Sequence, residues 1–252
     1  MSRSLCFEAA GHTDIGQSRE INQDALLIRP DLGLFVVADG MGGHAAGEVA
    51  ASIAVTAIEG FFEDPDITWP SDAPGWPADP LALLVAAVKH ANSHIRSAAT
   101  GDRSKRGMGT TVVAVLVRGS TVCLAHVGDS RISRFRDGKL EQLTEDHTIC
   151  NEWIEQGMTV ELAKALPIGA TLSRALGTHP TVEVSARLET LTPGDVLLLC
   201  SDGVHGVVQT GELAGILTEL GELTAGVARI IRRANDKGGP DNSTAILVRC
   251  TT

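Results

Sequence analysis

The chain has 252 residues, with 21 Lys plus Arg against 31 Asp plus Glu, a net charge of −10. Hydrophobic residues make up 43%, which excludes disorder of the whole chain, and the length suits one domain or a tight pair. Aromatic residues are only 3%, with no Tyr; stacked bases need aromatic platforms and phosphate backbones need basic clusters, so composition argues against nucleic acid as a partner.

In chain order, the N-terminal Met-Ser-Arg-Ser-Leu-Cys-Phe-Glu lacks the apolar stretch of an export signal. An amphipathic helix is predicted from about Ala46 to Phe61, where Val49, Ala50, Ile53, Ala54, Ala57, Ile58 and Phe61 recur at steps of three and four. The segment 63–80, with five Pro, four Asp, Trp69 and Trp76, reads as a surface loop. A second helix follows from about Pro80 to Ala98, burying Leu81, Leu84, Val85, Val88 and Ile95. The longest wholly apolar stretch, Leu81 to Val88, falls far short of the ~20 residues that span a bilayer.

From Thr110 to Leu143 the pattern becomes strand-like. Gly119-Ser120 and Asp137-Gly138 each separate two runs by two residues, the signature of a tight hairpin and hence of antiparallel strands. Further strands are predicted at Val182–Leu188, Asp195–Ser201 and Ser243–Val248, with helices near Glu212–Leu220 and Glu222–Ala234. Strands and helices fall in blocks, which favours a layered α+β fold over a parallel doubly wound sheet. The five cysteines (Cys6, Cys123, Cys150, Cys200 and Cys250) form no CxxC pair, so neither a disulfide framework nor a thiolate zinc site is suggested. A cytoplasmic protein of one domain over 1–252 is the expectation.

Several chemical motifs are decoys. His90 and His94 stand four apart, a zinc spacing, but on the face opposite Leu84, Val88 and Ile95. Asp64-Pro-Asp66-Ile-Thr68 matches the DxDxT of haloacid-dehalogenase-like phosphatases, yet it follows an amphipathic helix where that chemistry needs a buried parallel strand. Gly128-Asp-Ser130-Arg-Ile132 lacks the last Gly of a nucleophile elbow. No cysteine-based phosphatase loop and no Walker pattern occurs.

What recurs instead is an apolar run beside an aspartate. Leu34–Ala38 runs into Asp39-Gly40, Cys123–Gly128 into Asp129, and Val196–Ser201 into Asp202-Gly203. Asp241-Asn242 precedes the last strand and Asp24 precedes Ala25–Ile28. One such Asp is an ordinary turn residue. Five at strand edges can converge on one rim of a sandwich, where they repel unless protonated or holding a cation. Oxygen-only ligands select hard ions such as Mg²⁺ or Mn²⁺.

The ordered set Asp14-Ile-Gly16-Gln-Ser-Arg19-Glu-Ile-Asn22-Gln-Asp24, Val37-Ala-Asp39-Gly40-Met41-Gly42-Gly43-His44, Gly109-Thr-Thr111, Gly128-Asp-Ser-Arg131, Leu172-Ser-Arg-Ala-Leu-Gly177, Ser201-Asp-Gly203 and Gly239-Pro-Asp-Asn242 resembles the bacterial metal-dependent serine/threonine protein phosphatases, PPM or type 2C. The likeness runs from about residue 10 to 249. It implies a four-layer α-β-β-α sandwich, a central antiparallel β-sandwich flanked by helix pairs, with two Mn²⁺ or Mg²⁺ ions at one end. By position, the resemblance assigns Asp39 to both ions, Asp202 and Asp241 to one, and Asp24 with the Gly40 carbonyl to the other. Arg19 falls where the family binds phosphate, and a hydroxide bridging the ions would attack phosphoserine or phosphothreonine directly. Asp129 suggests a third, weak ion, although the position four after Asp202, acidic in many members, is Gly206. Eukaryotic relatives have His where this chain has Met41 and Glu where it has Gln23, which leaves His44 or water as the proton donor. Residues 147–171 fall where the family has a flap, in which Glu152, Ile154, Glu155, Met158 and Leu162 could gate entry or simply pack. Phosphoprotein substrates and an opposing bacterial Ser/Thr kinase are implied as partners. Two other readings stand beside this one: a catalytically silent phosphopeptide-binding or regulatory domain on the same fold, and the dehalogenase-like enzyme through Asp64 and Asp66.

Overall fold

A computed structural model describes residues 6–41, 46–64, 79–100, 102–119, 121–166 and 168–251. His44, Asp66, Trp69, Trp76 and Ser120 lie outside the described residues.

Eleven strands are described: β1 (Cys6–Asp14), β2 (Asp24–Arg29), β3 (Leu34–Met41), β4 (Gly109–Thr110), β5 (Val112–Arg118), β6 (Thr121–Val127), β7 (Arg131–Arg136), β8 (Lys139–Gln142), β9 (Ser185–Thr190), β10 (Val196–Cys200) and β11 (Ser243–Thr251). Seven helices accompany them: α1 (Ala46–Glu63), α2 (Pro80–Thr100), α3 (Ile149–Glu155), α4 (Val160–Ala165), α5 (Asp202–His205), α6 (Thr210–Thr218) and α7 (Leu223–Asp236). One sheet is ordered β1-β11-β10-β7-β8 and the other β2-β3-β5-β6-β9, with β4 added beside β3. All pairings within them are antiparallel.

The layering follows from the two-residue alternation of strands. Leu34, Val36 and Ala38 of β3 join a core with α1 and α2, whereas Phe35 and Val37 join the core between the sheets. On β10, Val196, Leu198 and Cys200 face α6 and α7, and Leu197 and Leu199 face the opposite sheet. Three apolar layers therefore separate four layers of structure, the α-β-β-α sandwich that the sequence implied. With both faces covered, these central strands are uninterrupted apolar runs. Charge can enter only at their ends.

Both hairpins lie where the turn residues put them. Arg136 faces Lys139 across Asp137 (φ 51°) and Gly138 (φ 75°), two positive dihedrals that demand such residues. Arg118 likewise faces Thr121 across the turn containing Gly119. Several boundaries differ from expectation. Strand β9 begins three residues after Val182, and Phe62, not Phe61, is the fully buried ring at the end of α1. Among the described residues no helix is long and apolar enough to cross a membrane.

Candidate metal centre

The strand ends bring the aspartates together. Asp24 opens β2 and Asp39 lies near the end of β3, and the two are direct cross-strand partners. By alternation Asp39 follows Phe35 and Val37, and Asp24 precedes Leu26 and Ile28, so both project on the side facing the opposite sheet. Asp202 follows β10, and Asp241 stands two residues before β11, its antiparallel neighbour. Asp39, Asp129, Asp202 and Asp241 line one cleft of about 290 Å³ with Arg19, Gln23, Gly40, Met41 and Asn242.

Backbone and side-chain bonds fix each position. Thr111 Oγ1 accepts from the Asp39 N–H at 3.1 Å, and the Asp39 carbonyl accepts from the Thr111 N–H at 2.8 Å and Thr110 Oγ1 at 2.9 Å. Asn242, buried, donates to the Ile15 and Ile21 carbonyls at 2.9 and 3.0 Å and accepts from the Gln23 N–H at 2.9 Å. It thereby staples the loop that carries Arg19. Asp129 sits in a turn gripped from two sides: the Gly128 N–H donates to His147 Nδ1 at 3.0 Å, and His205 Nε2 donates to the Asp129 carbonyl at 3.0 Å. Burial holds both imidazoles neutral, His147 down to about 3 and His205 down to about 4.

The electrostatics are those of a carboxylate cluster lacking counter-charge. Burial and then the charges of Asp24, Asp202 and Asp129 push Asp39 well above the usual carboxylate range. Burial raises Asp24 to about 6 and Asp129 to about 7, and it raises Asp202, with Asp241 adding to that rise. Arg19 donates to Asp241 Oδ2 at 2.6 Å, so the expected phosphate binder and one expected metal ligand meet each other.

Do these residues fit divalent cations? Asp24 Oδ1 and Asp202 Oδ1 are buried with no hydrogen-bond partner, and a buried orphan carboxylate oxygen is costly unless a cation takes it. The acidic donors are all oxygen, as hard ions prefer. A Cβ at Gly40 would clash with the Gly47 carbonyl, so only glycine allows the backbone to pass there. As they stand, no three His, Cys, Asp or Glu side chains among the described residues are grouped so as to hold a metal ion; Asp39, Asp129, Asp202 and Asp241 line the cleft, and Asp24 lies beside it as the cross-strand partner of Asp39. The site fits.

Other sequence expectations fare differently. None of Glu152, Ile154, Glu155, Met158 and Leu162 lines the cleft; the flap reaches it through Ala170, and Leu172 just beyond the flap lines it too. Leu162 is 53% exposed. Asp129 and Asp202 share the cleft, while a Cβ on Gly206 would already lie 2.7 Å from the Asp202 carbonyl. His90 and His94 are exposed on α2, their ring centroids 4.3 Å apart and His90 5.6 Å from Phe61, away from the cleft.

A pH dependence follows. Carboxylates raised in the folded state contribute stability that is complete below their ordinary value near 4 and is lost as pH rises through about 6 to 7. The depressed histidines act oppositely, contributing above about 6.5 and losing it as pH falls toward 4 and 3. Between about pH 6.5 and 7, where the histidines no longer oppose them, the carboxylates dominate, so the melting temperature of metal-free protein should fall across that interval. Mn²⁺ competes with protons for the same oxygens, so the gain on adding it should widen with pH. Melting scans with and without Mn²⁺ measure this; a gain that shrinks as pH rises would contradict it.

Comparison with known proteins agrees with this geometry. A family model described as Protein phosphatase 2C matches residues 13–240. The chain is 36% identical over 245 residues to the serine/threonine protein phosphatase PstP of Mycobacterium tuberculosis, covering 97% of the chain and 45% of that protein. It is 34% identical over 240 residues to the protein phosphatase PhpP of Streptococcus pneumoniae, covering 94% of each. A crystal structure of the PstP catalytic domain in complex with two manganese ions superposes with a TM-score of 0.83 at 34% identity, over 99% of this chain and all of that one.

Proposed function

The chain belongs to the protein phosphatase 2C family, and on that premise we propose that it is a metal-dependent phosphatase, one catalytic domain over 1–252, acting on phosphoserine and phosphothreonine in proteins. The observation that carries the reading is a cleft lined by Asp39, Asp202, Asp241 and Arg19, with Asp24 paired across the strands to Asp39 and one buried, unpartnered carboxylate oxygen on each of Asp24 and Asp202. These four aspartates, with the Gly40 carbonyl, would hold two Mn²⁺ or Mg²⁺ ions, a number supported by the relative whose crystal structure is in complex with two manganese ions. When bound, the ions supply charge neutralisation and a water acidic enough to attack phosphorus at neutral pH.

The chain's own groups do the rest. Asp39, on the strand pair, and Asp202 and Asp241, on the other sheet, fix the depth of the centre. Arg19, half exposed at the mouth, offers a planar fork that matches two phosphoryl oxygens and stabilises charge as the leaving oxygen departs. Met41 and Gln23 line the cleft and neither is an acid, so protonation of the leaving alkoxide falls to His44 or to water. Asp129 would take a third, weaker ion with Asp202. An opposing Ser/Thr kinase and its targets are the partners this chemistry implies. The five free cysteines suit a reducing cytoplasm.

Arg19→Ala should lower kcat/KM on a phosphothreonine peptide by about 10²-fold, the ~3 kcal/mol of a charge-assisted pair. Arg19→Lys should recover part of it, a point charge without the fork. Unchanged kcat/KM in Arg19→Ala would remove the phosphate-binding role. No turnover with Mn²⁺ or Mg²⁺, with phosphopeptide binding retained, would leave the silent domain as the better account.

A further inference from the structure

Beside the aspartate cleft lies a second cavity, of about 410 Å³, whose lining includes Arg96, Asp102, Arg106, Gly107, Gly177 and Thr178. Its walls are pinned. Asn92, buried in α2, accepts from the Gly177 N–H at 2.7 Å and donates to the His179 carbonyl at 3.1 Å. Arg96 stands one helical turn further along α2, on the same face as Asn92, and is half-buried. The segment that brings Arg106 is closed by two backbone bonds, from the Lys105 N–H to the Asp102 carbonyl at 3.1 Å and from the Met108 N–H to the Lys105 carbonyl at 3.2 Å.

A thin wall separates the two cavities. Leu176 exchanges two backbone bonds with Thr110, at 2.9 and 3.1 Å, and β4 pairs with Gly40 and Met41 at the end of β3. A Cβ on Gly109 would lie 2.8 Å from Met41 Cε and 3.1 Å from Thr178 Cγ2, so these two side chains meet over that glycine. Met41 lines the aspartate cleft and Thr178 lines the second cavity.

The second cavity carries the opposite charge. Most of the described arginines are in ion pairs, but among the described residues Arg96 and Arg106 are in none and donate no side-chain hydrogen bond. The one acid in the lining, Asp102, is already engaged. It accepts from the Ser104 N–H at 2.9 Å and Ser104 Oγ at 2.6 Å, and it pairs with Lys105 at 3.7 Å. In a chain of net charge −10, two guanidinium groups left without a carboxylate on one cavity form a place for an anion.

We propose that this cavity is a second anion subsite, in which Arg96 and Arg106 take a phosphoryl group borne by the substrate a few residues from the scissile phosphothreonine. The proposal rests on the phosphatase reading above and adds a substrate class to it, proteins phosphorylated at two nearby residues. Two planar forks suit a dianion with three acceptor oxygens, and a carboxylate fills them less. An extended peptide advances ~3.3 Å per residue, so nearby residues of one chain reach both cavities across the wall. The subsite holds the peptide and takes no part in the chemistry, so its contribution falls on KM and not on kcat.

The test uses phosphothreonine peptides that also carry a non-hydrolysable phosphonate analogue of phosphoserine, placed in turn at each position up to about five residues to either side. With Mn²⁺ and the full chain, KM should fall about tenfold at one spacing while kcat stays unchanged. Glutamate at that spacing should gain less. The double variant Arg96→Gln, Arg106→Gln should erase the gain and leave kcat/KM on the peptide without phosphonate unchanged. Equal KM at every spacing, or a gain that survives the double variant, overturns the proposal. A second readout needs no turnover: inorganic phosphate titrated into the metal-free full chain should move the backbone amide resonances of Gly107, Gly177 and Thr178, and should not move them in the double variant. Resonances that move in a chain that hydrolyses no peptide would leave the anion site standing and remove the phosphatase reading. Resonances that stay still in a chain that does hydrolyse phosphothreonine would remove the subsite alone.

Discussion

Replacing Asp39 by Asn is expected to cut turnover of a phosphothreonine peptide about 10³-fold or more, ~4 kcal/mol of barrier, and to remove tight Mn²⁺ binding. Asp39 has Asp24 as its direct cross-strand partner and lines the cleft with Asp129, Asp202 and Asp241, so its charge is the hub of the cluster. The same substitution should make the metal-free protein more stable. Like charges facing across an antiparallel pair cost roughly 0.2–1 kcal/mol, so their removal should raise the melting temperature by up to a few degrees. Losing function while gaining stability is the mark of a site held against repulsion for a cation. Asp64→Asn, just beyond α1 and outside the cleft, should leave both turnover and metal binding unchanged. Activity that survives Asp39→Asn and disappears in Asp64→Asn would support the dehalogenase-like reading instead.

Gly203→Ala is expected to be the most damaging single-methyl change at the site. A Cβ there would run into the Asn242 carbonyl oxygen and stand 2.8 Å from its carbon, both backbone atoms with nowhere to go. The close approach of α5 to the residue before β11 is what sets Asp202 beside Asp241. Overpacking of this kind costs about 3 kcal/mol, or roughly 6–12 °C in a domain this size. Mn²⁺ affinity should fall with it. Gly215→Ala is the control: it lies in α6 with nothing near a new Cβ, so it should stabilise by about 0.5–1 kcal/mol through helix propensity. Calorimetric melting of the two variants separates contact from propensity; equal melting temperatures would contradict the close-approach argument.

The architecture was legible where periodicity was strong. Helices α1 and α2 and both two-residue hairpins lie where the sequence put them, because amphipathic spacing and positive-φ turn residues are local signals. Strand β1 was not foreseen. It is an edge strand, and in Cys6–Asp14 only Ala10 is fully buried, so its alternation is faint. The family resemblance supplied the aspartates, and apolar runs ending in Asp supported them. Register did not come from the sequence, and with it went the facing of Asp24 and Asp39. Ser201, whose hydroxyl donates to Asp24 Oδ2 at 2.7 Å, and Asn242 were quoted only as parts of motifs, yet parity along β10 would have put that hydroxyl on the inter-sheet face with Leu197 and Leu199. In the flap the sequence left gating and packing both open for its charged and bulky residues; Ala170 is what reaches the cleft, because loop conformation, not composition, decides what a flap presents.

Phosphate release from a phosphothreonine peptide, measured with Mn²⁺, then with EDTA, then with Mn²⁺ restored in excess, tests the central claim most directly. The account predicts turnover with Mn²⁺, a fall of at least about 10³-fold in EDTA, and recovery when the metal returns. Turnover undiminished in EDTA would contradict it.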